Sequence, residues 1–445
     1  MVKNMDPKEK KDLFINIKSF ITALVIIAVL MIASYVSSLV IPCEGIPFWK
    51  WILSPFLVLG GDDMVTLLAV ILFLLIIGGV FNSLTNCGVM HYMIDKIAHK
   101  YEAQKYKLLA VISFFFMALG SLIGSFEEVV PLVPIVTALA LKFGWDPLTG
   151  IGMSLLSVAC GFAAGVFNPF TVGIAQEIAG LPMFSGAWFR AVNFVCIYIL
   201  LFFFLRTHAK KIDKGETDSD ANDFEFDKKK DKAVLLFGVL LGLGIVIVMS
   251  SAFITALRDY TFVIVSLMFL IAGVAACLSS GMTGKELGKS FVSGLVSMLP
   301  AVLMILMASS IKYTLATAGL LDIMVAAAIK AASGLPKAVI ILFIYLLVLL
   351  LNFVIASGSA KAVMLTSILV ALAEPLGVSP QLVVVAYAFG DGFSNAFYPT
   401  NPATLIALGL ADTSYADWFK YSGKFQIMNL ILTSALLLLG LAIGV

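Results

Sequence analysis

FNPFT, residues 167–171, stands inside a long apolar run, and TNPAT, residues 400–404, stands inside another, 233 positions later. Proline lacks a backbone N–H and its ring collides with the preceding helical turn, so each Asn-Pro pair interrupts a helix. One such pair would be a kink, but these two belong to an ordered series. LKFGWDPLTG (141–150) lines up with AEPLGVSPQL, so that Gly144 and Pro147 fall on Gly377 and Pro380. At the same offset Asn168, Pro169 and Thr171 fall on Asn401, Pro402 and Thr404. Trp188-Phe189-Arg190 then meets Trp418-Phe419-Lys420 after a small deletion, and FNSLTNCG (81–88) parallels KYTLATAG (312–319). Matches in this order at a nearly constant spacing indicate an internal duplication of the kind that builds transporters from inverted repeats.

The solvent of these halves is lipid. Of 445 residues 61% are hydrophobic and 13% charged, and apolar runs of about 18 or more recur, each long enough to cross about 30 Å of hydrocarbon. The net charge of +2 points to no acidic partner and no nucleic acid. Five cysteines, Cys43, Cys87, Cys160, Cys196 and Cys277, have no CxxC or metal spacing and read as small core residues, not as disulfides or ligands. The first apolar run, about 15–41, is too long for a signal-peptide core and is expected to remain as a helix.

One polar segment, 206–232, separates a first half (1–205) from a second (233–445), and its basic residues place it in the cytosol. With the N-terminal KEKK also inside, the first half must cross an even number of times. The expected layout is crossings at 15–41 and 63–85, then an amphipathic stretch on the inner surface. A hairpin over 107–143 follows, with its tip at GSFEE, then a crossing over 148–180 interrupted at Asn168-Pro169, and a return over 187–205. The second half adds a helix at 233–256 and repeats the plan upside down. Crossings at 261–280 and 291–311 precede an outer-surface stretch at 319–333, and a hairpin over 338–377 has ASGSAK at its tip. A crossing over 381–411, interrupted at PTNP, and 423–445, ending outside, complete it. This arrangement puts most of the 29 lysines and arginines inside, as the positive-inside rule requires. The fold expected is thus an all-α polytopic membrane protein with an inverted repeat, two re-entrant hairpins and two broken helices.

Two hairpin tips and two helix breaks converge near the midplane. Irregular backbone survives there only where protein or a watery cavity satisfies it. Half-helix N-termini attract carboxylates, and unwound carbonyls attract cations or amines. The residues expected to line a binding site for a small charged solute are Ser125, Glu127 and Glu128 at the first tip, and Ser357, Ser359 and Lys361 at the second. Asn168 and Thr171 join them from the first break, and Asp391, Asn395, Thr400, Asn401 and Thr404 from the second. An intramembrane charge costs about 2.5–3.5 kcal/mol and needs a partner or a task. The repeat sets Glu128 against Lys361, so the two tips carry opposite charge, and the Lys361 ammonium would occupy the place of a coupling ion. Asp62 and Asp63, beside Gly60-Gly61, read as a helix cap.

Other functions fail on particulars. GMTGKELGKS (281–290) lacks the first glycine of a nucleotide-binding loop, so an ATP-driven pump is not expected, and no HExxH motif supports hydrolysis. No enzyme activity, cofactor or metal centre is expected. A channel stays as the less favoured alternative, since a continuous pore would not need paired hairpins entered from opposite sides.

GSFEEVVPLVPIVTALALKFGWDPLTG, GFAAGVFNPFTVGIAQEIAGLPMFSGAWFR, SGSAKAV and FGDGFSNAFYPTNPATL together resemble the YfcC-like branch of the anaerobic C4-dicarboxylate carrier (DcuC-like) family. Basic amino acid antiporters resemble it too, and all fall within the ion transporter superfamily. The resemblance spans nearly the whole chain. It implies a bacterial cytoplasmic-membrane homodimer of scaffold and transport domains working as an elevator. In dicarboxylate relatives, Ser-Asn-Thr tips bind sodium and substrate carboxylates. Here the tips read Ser125-Phe126-Glu127-Glu128 and Ser357-Gly358-Ser359-Ala360-Lys361, which departs from that pattern. Two glutamates would repel a dianion, and no intramembrane arginine is expected to clamp a second carboxylate. The expected solute is therefore an amino acid, basic or zwitterionic, moved by exchange or with a coupling ion, a proton or sodium. A C4-dicarboxylate coupled to sodium or protons is the alternative.

Overall fold

The computed structural model describes residues 17–61, 64–124, 126–213, 226–250, 261–332, 334–355 and 357–445. Every element in this part of the chain is helical. Among the described residues seven helices are long and apolar enough to cross a membrane. Ile17–Val40 shows why lipid suits them: Val25, Val29, Ile32 and Val36 project from it, each about half exposed, at helical spacing.

After Ile17–Val40 come Phe48–Leu57, Met64–Asn86, Val89–Tyr101 and Lys105–Ile123. A 3₁₀ turn, Glu127–Leu132, leads into Val133–Lys142. The chain then runs from Pro147 through a π-helical turn, Gly152–Leu156, to Ala164, breaks, and resumes from Pro169 to Ile178 before Ala187–Ile212. The second half contains Lys228–Ser250, Thr261–Ser279, Gly284–Ser297, Leu299–Thr317, Leu320–Ala332, Lys337–Asn352 and Gly358–Ala373. It ends with Pro380–Gly392, the 3₁₀ turn Phe393–Ala396, Pro402–Leu410 and Tyr415–Ile443.

Four details differ from the sequence reading. Phe48–Leu57 was not expected. Its Trp51 indole donates to the Met31 carbonyl at 3.0 Å and stacks on Tyr35, which folds the segment onto helix 17–40. The crossing expected at 291–311 is two helices that part at Met298, because Pro300 cannot continue the preceding turn. GMTGKELGKS is the start of the first of these. Thr283 and Glu286 form a reciprocal capping box there, with Thr283 N–H donating to Glu286 at 3.0 Å and Glu286 N–H to Thr283 at 3.3 Å. Helix 89–101 does not merely lie on a surface. It buries Val89, Met90, Tyr92, Ile94 and Ala98, packs on helix 133–142, and Asp95 pairs with Lys142 at 3.1 Å. Lastly, the helix expected from 233 begins at Lys228, while its expected last residues, with Asp62 and Asp63, lie outside the described residues.

The helices that carry the breaks are the most enclosed. From Thr149 to Val166 every residue is buried, and so is every residue from Leu382 to Asn395. Each packs on the first arm of one expected hairpin, 157–164 on 105–123 and 380–392 on 337–352, and they pack on one another. Glycine permits these approaches. A Cβ on Gly161 would fall 1.8 Å from the Met117 carbonyl oxygen, and one on Gly392 would fall 2.3 Å from the Ala163 Cα. A separate set, helices 228–250, 261–279, 64–86 and 284–297, packs in succession, and 299–317 packs on 17–40 and 48–57.

Candidate functional site

The first break starts at Gly165, whose φ of +50° turns the chain out of the helix that ends at Ala164. The freed amides find partners on helix 105–123: Val166 N–H donates to the Ser121 hydroxyl at 3.0 Å and Phe167 N–H to its carbonyl at 3.0 Å. The freed carbonyls find Arg190. Its Nε donates to Gly165 O at 2.9 Å, its Nη2 to Val166 O at 3.1 Å and its Nη1 to Ser185 O at 2.7 Å. Arg190 is fully buried, which corrects the expectation that no arginine lies within the membrane part. Its fork is spent on backbone rather than offered to a solute. Asn168 restarts the helix, its Oδ1 accepting from Phe170 N–H at 3.0 Å and Thr171 N–H at 3.3 Å. The first tip rests on it, since a Cβ on Gly124, where φ is +76°, would fall 2.3 Å from Asn168 Oδ1.

The second break is wider than the PTNP expected. Regular α-helix ends at Gly392 and resumes at Pro402. Trp418 Nε1 donates to Ala396 O at 2.7 Å and Gln426 Nε2 to Phe393 O at 3.0 Å. Asn401 Oδ1 accepts from Ala403 N–H at 3.0 Å, while its Nδ2 donates to Asn395 Oδ1 at 3.3 Å. Thr404 Oγ1 donates to the Asn395 carbonyl at 2.6 Å.

Lys361 joins this break to the second tip. Its ammonium pairs with Asp391 Oδ1 at 2.6 Å, donates to Ile355 O at 3.0 Å, and donates to Asn352 Oδ1. Lys361 and Asp391 are both fully buried. Asn352, which the sequence reading missed, holds the group together: its Nδ2 lies 2.9 Å from Asp391 O, 2.7 Å from Ser394 Oγ and 3.0 Å from Asn395 Oδ1. The one signal for it was an amide closing the apolar run LLVLLLN. Ser357 caps helix 358–373, accepting from Ala360 N–H, and Tyr387 donates to the Gly358 carbonyl at 2.5 Å. A Cβ on Gly358 would fall 2.6 Å from both Asp391 Oδ2 and the Thr171 methyl, so elements of both breaks meet the second tip at one point.

Of the residues expected in the site, Asn168, Thr171, Lys361, Asp391, Asn395, Thr400, Asn401 and Thr404 are buried around this junction, and Ser359 is half-buried. Ser125 lies outside the described residues, as does the side chain of Glu128. Glu127 is half-buried and feels the charge of Asp391, which brings the first tip within electrostatic reach of the second break. Among the described residues the hydroxyls of Thr171 and Thr400 and the second oxygen of Asp391 have no hydrogen-bond partner. No group of three metal-ligating side chains occurs there either. Chemically the junction offers one half-buried carboxylate, two hydroxyls, and helix N-termini whose first amides are held by Asn168, Ser357 and Asn401. Between the first tip and helix 64–86 lies a small apolar cavity lined by Leu74, Ile77, Phe81, Val130 and Pro134.

The model of the C4-dicarboxylate anaerobic carrier family (DcuC) matches residues 18–442. An Escherichia coli (strain K12) protein provisionally named basic amino acid antiporter YfcC is 27% identical over 398 residues, covering 85% of this chain and 78% of that protein. An uncharacterised protein of Haemophilus influenzae is 23% identical over 370 residues, covering 79% and 71%. Among solved structures, the YdaH transporter of Alcanivorax borkumensis matches with a TM-score of 0.48 and 18% identity, over 96% of this chain and 99% of that one. MtrF of Neisseria gonorrhoeae, described with a class of antimetabolite efflux pumps, matches with a TM-score of 0.44 and 17% identity, over 94% of each.

Proposed function

The chain belongs to the C4-dicarboxylate anaerobic carrier family and is a membrane transporter of it, and we propose that it moves an amino acid, basic or zwitterionic, by exchange or ion coupling. The observation that carries the solute class is the distribution of charge at the junction. Asp391 and Lys361 cancel one another at 2.6 Å, so neither is left to bind a solute ion. Glu127 has no ion-pair partner among the described residues, which favours a solute that brings an ammonium. The solute's own carboxylate is received by the hydroxyls of Thr171 and Thr400 and by the helix starts beside them.

The same reading takes the two halves as inverted repeats. It is supported by the recurrence of one order of elements, since 105–123, 133–142, 147–178 and 187–212 are answered by 337–352, 358–373, 380–410 and 415–443. Tips 124–128 and 356–361 are then re-entrant, and the hairpins, broken helices and their flanking helices move as an elevator against the remaining helices in a homodimer. The protein sits in a bacterial cytoplasmic membrane with its N-terminus inside and its C-terminus outside. The provisional name of the Escherichia coli relative favours a basic amino acid.

Uptake into proteoliposomes tests the solute class with a panel of labelled amino acids and C4-dicarboxylates, for the wild type and Glu127→Gln. The expected result is exchange of an amino acid that falls more than tenfold in the variant. Uptake of dicarboxylates alone, unchanged by the substitution, would refute it.

A further inference from the structure

Far from the site, the sulfurs of Cys87 and Cys277 lie 3.6 Å apart, on segments 190 residues distant in sequence. Cys87 follows helix 64–86 at a tight turn and is partly exposed, whereas Cys277 is fully buried in the last turns of helix 261–279. Their neighbours hold them in place. Cys87 Sγ also lies 3.3 Å from the Leu84 carbonyl, and the Cys277 carbonyl accepts from Ser280 at 2.7 Å. A third element comes close to the turn: the Lys230 ammonium sits 3.5 Å from where a Cβ on Gly88, the next residue after Cys87, would be. The thiolate of the partly exposed Cys87 is the form that reacts.

We propose that Cys87 and Cys277 form a dithiol modification site, which small disulfides close into an intrachain disulfide and trivalent arsenicals bridge. With a small disulfide the Cys87 thiolate attacks one sulfur and expels one thiolate, leaving a mixed disulfide. Cys277 then gives its proton to the departing side and attacks the Cys87 sulfur, expelling the second thiolate. Two protein thiols are oxidised, one small disulfide is reduced to two thiols, and both protons end on the products. The sulfurs must approach by about 1.5 Å to reach a bond length of about 2.05 Å, a side-chain movement at a turn. The bond would tie helix 64–86 to helix 261–279, and helix 64–86 is also the wall of the cavity against the first tip. Nothing in this depends on which solute is carried.

The test uses the full chain in proteoliposomes, treated with glutathione disulfide and mapped by mass spectrometry without reduction. A Cys87–Cys277 cross-linked peptide should account for most of the oxidised protein, and one equivalent of phenylarsine oxide should prevent it, reversibly by a dithiol but not by a monothiol. In Cys277→Ser, glutathione should remain on Cys87. If the wild type instead retains glutathione on Cys87, or Cys277 stays free to alkylate after oxidation, the pair is not a dithiol site.

Discussion

Replacing Lys361 by alanine tests what its charge does. The ammonium is fully buried and touches three oxygens: Asp391 Oδ1 at 2.6 Å, Ile355 O at 3.0 Å and Asn352 Oδ1. Removing it leaves the Asp391 carboxylate buried and uncompensated, which costs about 3–5 kcal/mol. It also vacates a space bounded by a carboxylate, an amide and a carbonyl oxygen, the hard ligand set that small cations prefer. Sodium at about 100 times its Kd would return about 2.7 kcal/mol of that loss. The expected outcome in thermal unfolding of purified protein is therefore a wild type indifferent to exchanging choline for sodium. Lys361→Ala should be markedly destabilised in choline and largely restored in sodium. The double variant Lys361→Ala/Asp391→Asn should recover stability in both salts, because neither charge remains. Uptake should follow the same pattern, independent of sodium in the wild type. A wild type that sodium stabilises as strongly as the variant, or a Lys361→Ala as stable in choline as the wild type, would refute the view that the lysine stands where a coupling ion could.

Arg190→Leu should destabilise the protein by several kcal/mol, since the two buried carbonyls of Gly165 and Val166 each lose a donor at about 1–3 kcal/mol, while the Ser185 carbonyl keeps Gln176; thermal unfolding reads this, and Arg190→Lys should recover only part. Gly161→Leu should abolish the monodisperse folded species in size-exclusion chromatography, because even a Cβ there meets the Met117 carbonyl at 1.8 Å, whereas Gly288→Ala, with open space around it, should be neutral or slightly stabilising. At the loop before helix 147–151, burial pushes the Asp146 carboxyl up. Hydrogen bonds from His208 at 2.9 Å and from the Thr149 side chain and amide outweigh this and hold it below the ordinary carboxylate range. A depressed carboxyl stabilises above its unfolded value of about 3.9 and loses that contribution as pH falls through its lower folded value. Unfolding of Asp146→Asn should therefore be less dependent on pH below about 4 than that of the wild type.

The breaks could be read in the sequence because Asn-Pro is a local signal with a local cause: proline ends one helix and asparagine caps the next. The other boundaries depend on tertiary packing. Phe48–Leu57 holds only ten residues with Pro55 inside, and it is a helix because Trp51 reaches helix 17–40. The parting at Met298 is the exception: Pro300 marks it locally, although hydropathy along that apolar run does not distinguish one helix from two. Arg190 lies in a triplet that the repeat matches, yet nothing local to Trp188-Phe189-Arg190 says that a guanidinium will turn back to a break 25 residues earlier. Asn352 was hidden for the opposite reason, as a single amide after many leucines, whose oxygen meets Lys361 nine residues onward and whose Nδ2 meets partners 39 to 43 residues onward.

The two halves meet the same physical need with different chemistry, and the difference bears on mechanism. At the first break a charged fork satisfies the carbonyls of Gly165 and Val166, and at the second a neutral indole satisfies Ala396. The tips differ likewise. The second carries Lys361, matched by Asp391 from the break beside it, so it can stay closed over a neutral pair with no ion from solution. The first carries Glu127, whose neighbourhood already includes Asp391 and whose charge no lysine or arginine of the described chain meets. In an inverted repeat the tips face opposite sides, so a cation delivered by the solute would be felt first at one of them. On the proposed reading, the first tip is therefore the one whose closure depends on the solute's ammonium. Glu127→Gln should then loosen the requirement for a charged amine, whereas Lys361→Ala should create a requirement for a small cation.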